Sequence, residues 1–274
     1  MLQFVKTVNC RAGLLVCCAV LAYVCLGGLA ANEMEVAAKQ VRPSGIKGQD
    51  DRVRVDVKKH PWKTVGRLNR DGNFCTGVLV APDKILTAAH CFWNSRTRRW
   101  SQAKFYHFVV GYEKGKYAGH AKGISYETAF NKLPDLRKYS LKREDDWAIL
   151  TLDKPLGDIF GTVPLSPLSG QYFVEQSRKN GDVVQAGYSK DFAHVLTVHK
   201  KCRITDYIRL GNDRAPVYFH QCDATRGDSG SPIFHLNQGE YSLLAIHSAT
   251  GKTSAGKIIG IAIPARQFSQ QLKN

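Results

Sequence analysis

Short apolar stretches, separated by turn residues, recur along most of the chain. Examples cover residues 74–80, 84–87, 105–110 and 258–263. They are rich in valine, isoleucine and aromatic residues, which favour β-strands. Many short strands of this kind, spaced by glycine and proline, predict an all-β fold with antiparallel sheets.

Prolines and glycines concentrate over residues 155–170, and we predict that this stretch connects two halves of the strand pattern. In the second half, strands are predicted over 182–187, 196–205 and 217–222, and again over 243–248. The residues 265–272 follow a proline and predict a short C-terminal helix.

The first residues have a different pattern. Basic Lys6 and Arg11 precede an apolar run over 12–31 that ends in small residues. This order is typical of a secretory signal, and it predicts a signal peptide over 1–30. The run is also long enough to anchor the protein in a membrane if it is never cut. Either outcome implies export, so we expect a secreted or periplasmic protein.

Residues 31–52 are polar and charged, as in a pro-segment or a flexible arm. Arg52 and Arg54 each precede a valine and offer a processing point. A plain exposed linker fits the same composition equally well.

The chain has a formal net charge of +16, which favours contact with polyanions. The basic residues are dispersed, so we expect no specific nucleic-acid site and mainly an ordinary basic surface.

Four of the eight cysteines lie within residues 1–30. The other four form an even set suited to an oxidising compartment, namely Cys75, Cys91, Cys202 and Cys222. Three pairings are possible, and order along the chain favours Cys75 with Cys91 and Cys202 with Cys222. No C-x-x-C spacing occurs among them, so no metal site is expected.

Three polar residues, Ser229, His90 and Asp146, lie in local sequence contexts that suit catalysis. Ser229 lies between glycines, which leave a hydroxyl clear of the backbone and let amide N–H groups converge. His90 follows a predicted strand and precedes Cys91, and Asp146 leads an apolar run. Each alone also fits a bland role: a turn, a half-buried histidine or a strand start.

Together, three motifs closely resemble those of the trypsin/chymotrypsin-like serine peptidases. They are Thr-Ala-Ala-His-Cys at 87–91, Asp-Trp-Ala-Ile-Leu at 146–150 and Gly-Asp-Ser-Gly-Ser-Pro at 227–232. The resemblance covers roughly residues 53–274, which we expect to be the peptidase domain. It implies two packed antiparallel β-barrels, over about 60–155 and 170–264.

The resemblance also implies roles for individual residues. His90, Asp146 and Ser229 would be the general base, the orienting acid and the nucleophile. The N–H groups of Gly227 and Ser229 resemble the oxyanion hole, and no cofactor is expected. Ser248 resembles the serine that supports the catalytic aspartate, and Cys75–Cys91 resembles the disulfide of the histidine loop.

The motifs depart from mammalian trypsins and look more like the bacterial glutamyl-endopeptidase and trypsin-like exported branch. Asp223 stands where trypsin-like enzymes bind Arg or Lys, which is the preference we expect. His247 stands where glutamate-specific relatives bind acidic side chains, although Ala224 lacks the hydroxyl they tend to have nearby. Preference for glutamate, or for small residues, stays open.

The sequence therefore predicts an exported serine endopeptidase that acts on protein or peptide substrates. The alternative from another class is a catalytically silent protein of the same fold that binds polyanions. Contact with a membrane is expected only if residues 12–31 stay attached.

Overall fold

The computed structural model describes residues 43–138 and 140–272. The predicted signal over 1–30, its alternative as an anchor and the first part of the 31–52 segment lie outside these residues. In the described ranges, we find no helix with the length and apolar character needed to cross a membrane.

Strands dominate the architecture. They are β1 (Arg52–Arg54), β2 (Val65–Arg70), β3 (Asn73–Ala81), β4 (Lys84–Thr87), β5 (Trp93–Asn94), β6 (Arg99–Trp100), β7 (His107–Val110), β8 (Gly119–Thr128), β9 (Ala148–Leu152), β10 (Val183–Gly187), β11 (Thr197–Cys202), β12 (Ile204–Arg209), β13 (Pro216–His220), β14 (Pro232–Asn237), β15 (Glu240–Lys252) and β16 (Ile258–Pro264). Two α-helices are described, α1 (Leu156–Phe160) and α2 (Gly170–Asn180).

The first half closes into a six-stranded barrel with the order β2-β3-β4-β9-β8-β7. Its interior is filled by buried apolar side chains, among them Leu79, Ile85, Phe108 and Leu150. The register pairs Thr87 with Ala148, so the end of β4 lies opposite the start of β9. This pairing brings the residues just after Thr87 and just before Ala148 to one edge of the barrel.

The second half forms an eight-stranded sheet with the order β1-β11-β10-β14-β15-β16-β13-β12. Only Arg203 separates β11 from β12, although the two strands stand near opposite ends of this order. The sheet must therefore curl back on itself. The Cys202–Cys222 disulfide, with Cα atoms 4.9 Å apart, and a 2.8 Å bond from Gln221 N–H to the Arg203 carbonyl hold the two ends together. The predicted pair of barrels is confirmed.

One buried cluster joins the two barrels. It contains Val65, Val78, Leu86, Trp147 and Ile149 from the first half and Val184, Leu196, Val198, Phe234 and Ile246 from the second. Burying an aliphatic side chain of this size stabilises a fold by about 1.5–3 kcal/mol. We call this cluster the seam, and the cleft between the barrels lies beside it.

One prediction of local structure was wrong, and one helix was not predicted. The single strand expected over 196–205 is two strands, because the chain turns at Arg203 beside the disulfide-bonded Cys202. Helix α2 was not predicted, although Ser169 at its N-cap and Gly181 just after its last residue are typical helix-boundary residues. Few of its side chains are apolar, and the buried Phe173 and Val174 pack into the core of the second barrel, so this packing stabilises the helix.

The short C-terminal helix is present as a 3₁₀ turn, Ala265–Phe268, shorter than the predicted 265–272. Phe268 is fully buried, and its ring centroid lies 5.8 Å from that of Trp147. The turn therefore packs against the seam, next to Asp146.

We expect Phe268→Ala to lower the free energy of unfolding by about 3–5 kcal/mol, since it removes a buried ring and leaves a cavity at the seam. Urea denaturation measures this loss. The matched control is Phe105→Ala, because Phe105 is 52% exposed and its removal should change stability by no more than about 0.5 kcal/mol. Equal effects of the two substitutions would contradict the packing described here.

Candidate active site

The loop around Ser229 depends on two glycines with positive φ. Gly227 has φ +98°, and a Cβ atom there would lie 2.5 Å from the Tyr188 carbonyl oxygen. Gly230 has φ +80°, and a Cβ atom there would lie 2.3 Å from Thr87 Oγ1. Both conformation and space exclude a side chain, so these glycines are what allow Ser229 to stand against the first barrel.

Ser229, His90 and Asp146 form a continuous chain of hydrogen bonds. His90 Nε2 lies 2.8 Å from Ser229 Oγ, and His90 Nδ1 lies 2.7 Å from Asp146 Oδ2. An ionised carboxylate only accepts hydrogen bonds, so Nδ1 carries the proton and Nε2 accepts from the serine hydroxyl. The three residues, far apart in sequence, meet as the motifs implied.

Asp146 is fully buried and accepts two further hydrogen bonds. They come from the backbone N–H of His90 at 2.8 Å and from Ser248 Oγ at 2.6 Å. His90 itself keeps 36% of its side chain exposed, so the cleft reaches its ring. Within the described residues, the carboxylate that pairs with His90 is that of Asp146 and not that of the neighbouring Asp145.

The electrostatics of the pair favour a protonated histidine. Burial opposes the charge on His90, but the adjacent Asp146 carboxylate outweighs it and raises the pKa of the imidazole above 6.5. The cation of Arg143 acts weakly in the opposite direction. The histidine can therefore hold a proton beside the carboxylate and release it.

The amide groups expected to form the oxyanion hole are free to donate. Among the described residues, neither the Gly227 N–H nor the Ser229 N–H has a hydrogen-bond acceptor. Their carbonyls point into the protein, where Thr76 Oγ1 donates to the Gly227 oxygen and Thr76 N–H donates to the Ser229 oxygen. The loop thus presents its donors to the cleft.

Both favoured disulfides are formed. Cys75–Cys91 joins β3 to the turn that carries His90, with Cα atoms 6.3 Å apart. Cys202–Cys222 closes the second barrel. These bonds fix the backbone on both sides of the cleft.

Asp228 shapes the serine loop from within. It is buried and accepts hydrogen bonds from Ser189 Oγ at 2.6 Å, from the Thr225 N–H at 2.7 Å and from Ser231 Oγ at 3.3 Å. Burial raises the pKa of this carboxyl to about 6, against the effect of these bonds. Asp228 therefore holds the turn that precedes Ser229.

Residues 43–51 lie against the serine loop, which the sequence did not indicate. Gly45 accepts a hydrogen bond from the Ala224 N–H, and Ile46 is buried. The next strand, β1, pairs with β11, and the Arg52 side chain is 2% exposed between Asp50 and Asp191. Processing at Arg52 stays a prediction, and it would require β1 to open.

Asp223, the predicted pocket acid, is covered by this segment. It is only 2% exposed. Its oxygens accept the Lys47 N–H at 2.6 Å and the Asp51 N–H at 3.2 Å. In addition, His199 Nδ1 lies 3.2 Å from Asp223 Oδ2.

His247 lies next to the serine loop. The Gly230 N–H donates to the His247 carbonyl, and the His247 N–H donates to the Ser231 carbonyl, each at 2.8 Å. Its ring is buried and its Nδ1 lies 3.0 Å from His220 Nε2. The sequence indicated His247 but not His220, because His220 ends β13 and belongs to none of the motifs.

Comparison with known proteins identifies the family. The trypsin family model matches residues 52–272. Curated relatives named serine protease 23 are 27% identical over 227 residues in Mus musculus, with 74% of this chain and 54% of the relative covered, and 28% identical over 230 residues in Rattus norvegicus, with 76% and 55% covered. The chain thus spans about half the length of these relatives.

A solved structure of a Glu endopeptidase in complex with MPD shares the fold. Its TM-score is 0.63 at 20% identity, and the match covers 83% of this chain and 97% of that one. Since the family model extends over both barrels and all three residues of the hydrogen-bonded chain, this protein belongs to the trypsin/chymotrypsin-like family of serine peptidases.

Proposed function

We propose that this protein is an exported serine endopeptidase that uses Ser229, His90 and Asp146. The observation that carries this proposal is the unbroken set of hydrogen bonds from Ser229 Oγ through His90 to Asp146 and Ser248. A nucleophile, a base and an orienting acid in this geometry are what peptide hydrolysis through an acyl-enzyme requires.

In the first half of the reaction, Ser229 Oγ attacks the peptide carbonyl carbon as His90 Nε2 takes the hydroxyl proton. Asp146 stabilises the imidazolium that results. The C–N bond then breaks, and His90 returns the proton to the leaving amine. An ester between Ser229 and the acyl part of the substrate remains.

In the second half, water attacks the ester carbonyl while His90 Nε2 accepts a proton from it. The C–O bond to Ser229 breaks, the serine regains the proton, and a carboxylic acid leaves. In both halves the negative charge develops on the carbonyl oxygen, where the free N–H groups of Gly227 and Ser229 would stabilise it. One such donor is worth roughly 3–4 kcal/mol in related chemistry.

Export is supported by the two disulfides, because such bonds persist in oxidising compartments. The alternative of a silent polyanion binder has less support, since a protein without catalysis has no need to keep all three groups in hydrogen-bonding geometry.

The side-chain preference expected from Asp223 also has less support. A carboxylate that recognises Arg or Lys must face the substrate, whereas Asp223 is covered by residues 43–51 and bonded to their backbone. The fold relative is named a Glu endopeptidase, which keeps an acidic preference open for this chain.

A fluorophosphonate probe tests the nucleophile directly. We expect it to label the secreted protein at Ser229, because the serine oxygen displaces fluoride from phosphorus with help from His90. Labelling should vanish in Ser229→Ala and fall at least about 100-fold in rate in His90→Ala. Persistent labelling of Ser229→Ala, at another residue, would contradict the assignment.

The two adjacent aspartates provide a matched pair. Asp146→Asn should lower kcat by about 10³–10⁴-fold, because an amide stabilises the wrong histidine tautomer and no imidazolium. Asp145→Asn removes the same charge one residue away and should leave kcat within about threefold, since this half-buried carboxylate lies outside the hydrogen-bonded chain of Ser229, His90 and Asp146. Similar losses in both variants would argue against the specific role of Asp146.

The pH profile should report the titration of His90. Only the neutral imidazole accepts the serine proton, so kcat/KM should rise with pH through the raised pKa of His90. The midpoint should therefore lie above 6.5, the ordinary value for histidine. Measurement of kcat/KM from pH 5 to 9 on a peptide without titrating groups checks this, and a midpoint below the ordinary value would contradict it.

A further inference from the structure

The chain is held differently on the two sides of Asp146. After Asp146, strand β9 pairs with β4 and β8, so the first barrel fixes the chain there. Before Asp146, the described parts of residues 129–142 contain no helix or strand, and the chain reaches the site through the 3₁₀ turn Arg143–Asp145. The segment before Asp146 therefore needs an anchor of another kind.

Glu144 provides this anchor. It lies two residues before Asp146, at the end of a charged surface connection, yet it is only 3% exposed. Its two carboxylate oxygens accept hydrogen bonds from Nε and Nη2 of Arg214, which lies in the turn between β12 and β13. The two side chains therefore form an ion pair with two parallel bonds that joins the first barrel to the second.

Arg214 is held in place by its own turn. Its N–H donates to the Gly211 carbonyl at 3.2 Å, and its Nη1 donates to the Leu210 carbonyl at 3.3 Å. Its carbonyl accepts a bond of 2.6 Å from Arg209 Nη1. A Cβ atom at position 211 would lie 2.8 Å from Arg214 Cδ, so the glycine leaves room for the arginine stem. The guanidinium thus reaches Glu144 from an ordered base.

Both members of the pair are ionised. Burial acts to raise the pKa of Glu144, but the bonds and charge of Arg214, with a backbone N–H and the charge of Lys142, outweigh it and lower the pKa. The bonds to Glu144 raise the pKa of the Arg214 guanidinium, so it stays a cation. Burial, together with the negative charge of Glu144, raises the pKa of the intervening Asp145. Arg214 therefore offsets negative charge in a run of three acids that ends at Asp146.

The turn transmits the position of Glu144 to Asp146. One residue separates the two, and the Asp146 N–H donates to the Arg143 carbonyl at 3.3 Å, which closes the turn. A movement of the turn would therefore displace the carboxylate that lies 2.7 Å from His90 Nδ1. A misplacement of about 1 Å in such a site can cost roughly 100-fold in rate.

We propose that Glu144 and Arg214 are positioning residues, whose ion pair holds Asp146 where it bonds to His90. This proposal rests on the proposed function. The pair acts through the turn, since the carboxylate that bonds to His90 is that of Asp146. The donors to Asp146 orient its carboxylate, whereas the ion pair fixes the backbone that carries it. The pair is a connection between the barrels in addition to the bond from Ser248.

The test measures peptide hydrolysis by Arg214→Met in the secreted full chain. Rates are expressed per serine labelled by fluorophosphonate, so that misfolded protein does not count. We expect kcat to fall about 10–100-fold while KM changes by less than about threefold, because misplacement of Asp146 impairs proton transfer and not substrate contacts. Arg214→Lys keeps the charge but not the planar fork, and it should recover only part of kcat.

The pH profile separates positioning from stability. If Asp146 moves away from His90, its carboxylate raises the pKa of the imidazole less, so the midpoint of kcat/KM should shift to lower pH in Arg214→Met. A direct effect of charge would act in the opposite direction, since loss of a nearby cation favours a protonated histidine. A variant that is only less stable would keep the midpoint of the unmodified chain.

The double variant Glu144→Gln with Arg214→Met keeps the test informative if Arg214→Met folds poorly, because it leaves no unpaired buried carboxylate. The connection between the barrels is still lost, so kcat should stay low and the midpoint should stay shifted. The matched control is Arg137→Met, which breaks the surface ion pair of Arg137 with Asp135 in the same connection. It should change neither quantity.

Normal labelling of the unmodified chain, with unchanged kcat and midpoint in Arg214→Met, would overturn the positioning role alone. Recovery of both quantities in the double variant would overturn it as well, because charge balance and not the connection would then be responsible. Absence of labelling at Ser229 in the unmodified chain would overturn the proposed function itself.

Discussion

The buried carboxylate of Asp146 is the constraint on which the rest of the site depends. A buried charge is costly unless hydrogen bonds and an opposite charge compensate it. Asp146 receives three donors, two from His90 in the first barrel and one from Ser248 in the second. The two barrels must therefore meet at this point, and the same bonds that satisfy the charge orient the histidine toward Ser229.

Thr76 makes the second connection across the seam. This fully buried residue donates from its N–H to the Ser229 carbonyl and from its hydroxyl to the Gly227 carbonyl, and it also accepts from the Tyr188 N–H. A single side chain thus joins β3, the serine loop and the end of β10. Because the loop carbonyls are occupied in this way, the loop N–H groups remain directed at the cleft.

The contacts with residues 43–51 give Asp223 a different role from the one that its position in the sequence suggests. Its position along the sequence suggests recognition of a basic side chain, but its two oxygens hold the backbone of Lys47 and Asp51. The carboxylate thereby holds residues 47–51 against the second barrel. In the same region, His220 Nε2 lies 3.0 Å from His247 Nδ1, and both rings are buried. The surroundings of Asp223 and His247 therefore depend on contacts between segments that are distant in the sequence.

The sequence alone determined the strand-rich class and the three motifs, because local periodicity and fixed spacing encode them, and it favoured one of three possible disulfide pairings, which the structure contains. It did not lead to helix α2 or to the break at Arg203. Those depend on which surface a weakly patterned segment meets after folding. The motifs named His90, Asp146 and Ser229, but only the packing of two barrels brought their atoms within hydrogen-bonding distance. Tertiary structure likewise decided that Asp223 is covered and that His247 is paired with His220, since both follow from long-range hydrogen bonds.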